Sequence, residues 1–117
     1  MSYSQNQLNS LAKENPKQLA RILSSPNVDV CTLTYGAELL GGEISDESLV
    51  LPVLRILLKH INAVVREGAI IGVSSFYANK LPPKDILDKL KLLSKHDPSP
   101  TIKEYAQSVL DDFLLME

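Results

Sequence analysis

Leu19, Ile22 and Leu23 recur 35 residues further on as Leu54, Leu57 and Leu58. A second step of the same size carries Leu57 and Leu58 onto Leu92 and Leu93. Between these positions lies another recurrence, in which Val30, Leu33 and Ala37 step onto Val65, Gly68 and Gly72. From Val65 the next match, Ile102, needs 37 residues. The two extra residues fall in the turn Asp97-Pro98-Ser99-Pro100, where an insertion is best tolerated. An apolar period of this size marks a supersecondary unit that cannot bury its own face and stacks on copies of itself.

The pattern inside each unit is helical. Apolar residues recur at steps of three and four, and no stretch alternates long enough to suggest a strand. Proline and glycine punctuate the chain where helices should begin or end. Residues 3–13 suit a short first helix with Leu8, Leu11 and Ala12 on one side. Asn15 then caps, and Pro16 opens, a helix of about ten residues. The next helix is predicted over Val28–Leu40, with Gly41-Gly42 as its C-terminal stop. Ser45 or Asp46 caps a helix carrying Leu49, Val53, Leu54, Leu57 and Leu58, which Pro52 either kinks or begins. His60-Ile61-Asn62 reads as a tight turn before a helix over Ala63–Asn79. Pro82-Pro83 opens a helix with Ile86, Leu87, Leu90 and Leu93, and a last helix is predicted over Thr101–Leu115. The expectation is an all-α chain forming one domain over residues 1–117, with helix pairs at about 15–42, 45–80 and 82–115.

Composition narrows the function classes. A formal net charge of −2 gives no general attraction to nucleic acid or anionic lipid. The longest apolar stretches, residues 49–54 and 69–73, fall far short of the roughly 18–20 residues a membrane span needs. The polar opening MSYSQNQLNSLAKENP lacks a basic segment followed by an apolar core. A cytoplasmic protein without a membrane partner is expected. One cysteine, Cys31, and two well-separated histidines, His60 and His96, offer no zinc spacing. No phosphate-binding glycine loop, nucleophile elbow or paired-carboxylate motif is present. The expectation is therefore a protein that is not an enzyme and uses no cofactor or metal. The two histidines are read as helix C-terminal residues and Cys31 as a buried or incidental thiol.

One stretch carries a family likeness. Asn62-Ala-Val-Val-Arg-Glu-Gly-Ala resembles the start of the second helix of a HEAT-like repeat, a turn followed by Val-Arg-x-x-Ala. Thr101-Ile-Lys-Glu-Tyr-Ala echoes it with Lys103 in the place of Arg66. Asp29-Val-Cys-Thr-Leu-Thr is a weaker copy, with Cys31 at the basic position and Thr34 at the small one. The resemblance spans residues 15–115. It implies a short α-solenoid of about three HEAT-like helix pairs that serves as a binding scaffold. Among such chains, small stand-alone ones resemble bacterial immunity proteins that bind and block a cognate toxin.

A helical wheel centred on Val65 puts Gly68, Ala69, Gly72, Val73 and Phe76 on the buried face. Arg66, Glu67, Ile70, Ser74 and Tyr77 then face outward. Gly68 and Gly72 are read as a crossing point where another helix approaches closely, at a propensity cost of roughly 1 kcal/mol each, with a homodimer contact through the same motif as the alternative. Carried across the repeats, the outward set adds Thr32, Tyr35 and Leu39, then Lys103, Glu104, Gln107, Asp111 and Leu114. Acids cluster twice without a base between them: Glu38, Glu43, Asp46 and Glu47, then Glu104, Asp111, Asp112 and Glu117. Asp46 and Glu47 suit a helix start, whereas Glu38, Asp111 and Asp112 are placed near helix ends, against the dipole. The candidate partner-binding residues are Tyr35, Glu38, Glu43, Arg66, Glu67, Ile70, Ser74, Tyr77, Glu104, Gln107, Asp111 and Asp112. Their acidity suits a protein partner with a basic surface, such as a nuclease toxin domain. A general adaptor using Tyr35, Ile70 and Tyr77 is the alternative. A nucleic-acid-binding role is disfavoured, because Arg66 and Lys103 are offset by Glu67 and Glu104.

Overall fold

The computed structural model describes all residues, Met1–Glu117, and contains seven helices and no strand. They are α1 (Gln5–Glu14), α2 (Pro16–Leu23), α3 (Val30–Glu43), α4 (Glu47–Leu57), α5 (Ala63–Phe76), α6 (Lys84–His96) and α7 (Pro100–Leu114). No helix is long and apolar enough to cross a membrane.

Local chemistry sets the helix starts. The Ser4 hydroxyl accepts from the Gln7 N–H while the Gln7 side chain accepts from the Ser4 N–H, a reciprocal capping box. Asn15 accepts from the Gln18 N–H ahead of Pro16. Asp29 caps α3, Asp46 caps α4 and Ser99 caps α7 ahead of Pro100. Asn62 accepts from the Val64 N–H at the start of α5. Each cap satisfies a backbone donor that the helix leaves without a partner.

Two helix ends differ from expectation. Gly41-Gly42 does not stop α3, which continues through Glu43. Gly41 lies against the Gly72 backbone, so it is small because of a tertiary neighbour and not because the chain turns there. Neither glycine has a positive φ; the left-handed conformation occurs instead at Asn27, with φ 63°, in the break after α2. Helix α5 ends at Phe76, three residues before its expected end. Pro52 lies within α4 on its exposed face, so the hydrogen bond it cannot donate is missing on the solvent side.

The chain forms two compact units, Met1–Phe76 and Tyr77–Glu117. In the first, α2 packs on α4 and α3 on α5, while α1 covers α2 and α3. Its core draws on Leu8 of α1, Leu19 and Leu23 of α2, Leu40 of α3, Val50 and Leu54 of α4, and Val65 and Ala69 of α5. Each of these leucine and valine side chains contributes about 1.5–3 kcal/mol relative to exposure. The α3–α5 contact is the closest. A Cβ on Gly68 would stand 2.7 Å from the Thr34 carbonyl oxygen, and one on Gly41 would overlap the Gly72 carbonyl. The glycine pair is thus a helix crossing, as the sequence pattern indicates.

In the second unit α6 packs on α7. The two helices bury Ile86, Leu90 and Leu93 against Ile102, Ala106, Val109, Leu110 and Phe113. Leu92, expected to match Leu57, is instead 52% exposed. The burial pattern Val50, Leu54, Leu57 of α4 recurs in α6 as Ile86, Leu90, Leu93, one residue beyond the expected register. The same single-residue offset relates α3 to α5. Leu33 and Ala37 correspond in burial to Ala69 and Val73.

Candidate functional site

That offset rearranges the outward face of α5. Arg66, Ile70 and Tyr77 are buried, as is Thr32 on α3, so none of the four lies on an exposed surface. For Arg66 and Ile70 the physical reason is that α5 packs on both α3 and α4, which leaves it a narrow outward stripe of Val64, Glu67, Ile71, Ser74 and Ser75. Of the α5 residues expected to face outward, Glu67 and Ser74 remain partly accessible.

Arg66 has a clear structural role. It is 8% exposed, and its guanidinium donates to the His60 carbonyl at 2.8 Å and the Ile61 carbonyl at 2.9 Å. It thereby braces the turn between α4 and α5. His60 takes part as an acceptor, its Nδ1 receiving the Asn62 N–H at 3.0 Å. His60 thus lies in the turn, beyond the last turn of α4. His96 is exposed as the last residue of α6. Cys31 is exposed in the first turn of α3.

The remaining candidates fall into three groups. In the second unit, Glu104, Gln107, Asp111 and Asp112 line one open groove of about 600 Å³ together with Lys103, Ser108 and Ser94. Gln107 Nε2 donates to Asp111 Oδ1 at 2.8 Å, the i,i+4 spacing of one helix face. Asp111 and Asp112 stand in the last turn of α7, where the helix dipole disfavours negative charge. The only basic side chain on the groove is Lys103.

In the first unit, Tyr35 and Glu43 line a smaller groove of about 330 Å³ with Leu39, Asn9, Ala12 and Lys13. Tyr35 is half-buried, and its hydroxyl donates to Asn9 Oδ1 at 2.8 Å, tying α3 to α1. Asn9 and Lys13 escape sequence reasoning because α1 has no counterpart in the repeat register.

The third group is Glu38 with Glu67. Glu38 is half-buried in the middle of α3, since the helix runs on to Glu43; it does not sit in the last turn. Burial pushes its carboxyl above the usual glutamate range, and the charge of Glu67 on α5 pushes it further. Asp46 and Glu47 sit at the N-terminus of α4, where Asp46 caps through the Ser48 N–H.

Exposed aliphatics form a feature that the sequence pattern does not single out. Ile56, Ile61 and Val64 are all exposed around the α4–α5 turn, with Ile61 at 94%. No three His, Cys, Asp or Glu side chains converge as metal ligands would. Comparison of the chain with protein-family models, curated proteins and solved structures yields no match.

Proposed function

We propose that this chain is a non-catalytic protein-binding module whose acidic surface recognises a basic protein partner. The observation that carries the reading is the groove on α7. Glu104, Asp111 and Asp112 line it with a single lysine, and two of the acids stand against the helix dipole. Carboxylates held in this way gain most when a cationic surface covers them, and their field speeds the approach of such a partner. The stacking of α2 on α4 and of α3 on α5 supports a HEAT-like solenoid as the scaffold. In its most specific form the proposal is an immunity protein that binds and neutralises a bacterial toxin, with a basic nuclease domain as the partner.

The test is co-expression with the product of the neighbouring gene, followed by binding measurements on a variant with Glu104, Asp111 and Asp112 all neutralised. The expected result is a complex whose affinity falls steeply with salt and is lost in the variant. No complex, or unchanged affinity in the variant, overturns the reading. The adaptor alternative now rests on Tyr35 and Leu39 alone, since Ile70 and Tyr77 are buried. It predicts sensitivity to Tyr35→Ala and little dependence on salt. A nucleic-acid role loses one of its two cations, because Arg66 is occupied by the His60 and Ile61 carbonyls.

A further inference from the structure

We draw no further inference here: the strongest candidate, the exposed apolar patch of Ile56, Ile61 and Val64 around the turn between α4 and α5, carries nothing because nothing in the structure shows what covers it.

Discussion

Gly72 of α5 lies directly against Ala37 of α3, so close that a Cβ on the glycine would stand 2.5 Å from the alanine carbonyl oxygen. The same Cβ would meet Leu54 Cδ2 of α4 at 3.0 Å. Backbone cannot yield as a flexible side chain can. Gly72→Ala should therefore destabilise the protein by about 1–3 kcal/mol, although alanine is the better helix former by roughly 1 kcal/mol. Gly42 provides the control, since nothing lies within 4 Å of its added Cβ. Gly42→Ala should stabilise by about 0.5–1 kcal/mol. Urea denaturation of both variants checks the pair. A stabilised Gly72→Ala protein would show that the helices cross with room for a Cβ.

Arg66 separates a structural arginine from a binding one. Replacing it with methionine keeps much of the apolar stem but removes the donors to the His60 and Ile61 carbonyls. Hydrogen bonds from a charged donor contribute about 1.5–3 kcal/mol, so a loss of about 2 kcal/mol is expected. Hydrogen exchange should quicken at the α4–α5 turn. Unchanged stability would show that these two bonds do not brace the turn.

The hydroxyl of Tyr35 gives a smaller effect. Tyr35→Phe leaves the ring and removes the bond to Asn9 Oδ1. The expected cost is about 1 kcal/mol, with lowered exchange protection concentrated in α1. If protection falls elsewhere and α1 is unaffected, this contact does not hold α1 to α3.

Two carboxyl groups shape the pH dependence of stability with opposite sign. Folding raises the Glu38 carboxyl above its ordinary range, through burial first and the Glu67 charge second. The folded state thus favours its proton. Its contribution is full below the ordinary glutamate value of about 4.3 and is lost as pH rises through the raised value. Glu38→Gln should keep that contribution at neutral pH and flatten this part of the profile.

Asp29 acts the other way. The Thr32 side chain is the main cause that holds its carboxyl below the usual aspartate range, with burial opposing it. The Thr32 backbone N–H lowers it further by donating to Asp29 Oδ2. The Asp29 contribution is present above the ordinary value of about 3.9 and is lost as pH falls through the lowered one. Asp29→Asn should lessen the acid-side loss. Denaturation curves from pH 3 to 8 for wild type and both variants would reveal any reversal of these signs.

Much of the helical layout is legible in the sequence because its signals are local. Asn15 with Pro16 and Ser99 with Pro100 mark helix starts through chemistry confined to one turn. The spacing of Leu19, Ile22 and Leu23 marks a buried stripe whatever covers it. Even the α3–α5 crossing shows through Gly68 and Gly72, since glycine in a helix interior otherwise has only a cost. That Glu104, Gln107 and Asp111 share one face of α7 is legible for the same reason, whereas Ser94 of α6 joins them only through folding.

The extent of burial around α5 was decided only by tertiary structure. A helix packed on one side keeps a wide polar face, and there a periodic pattern identifies the outward residues. Helix α5 packs on both α3 and α4, so its buried arc widens to take in Arg66 and Ile70. A stripe of apolar residues gives the direction of the core and not the angle it subtends. For the same reason Gly41 reads in the sequence as a helix stop and in the fold as a point of contact, because its neighbour, Gly72, is brought to it only by folding.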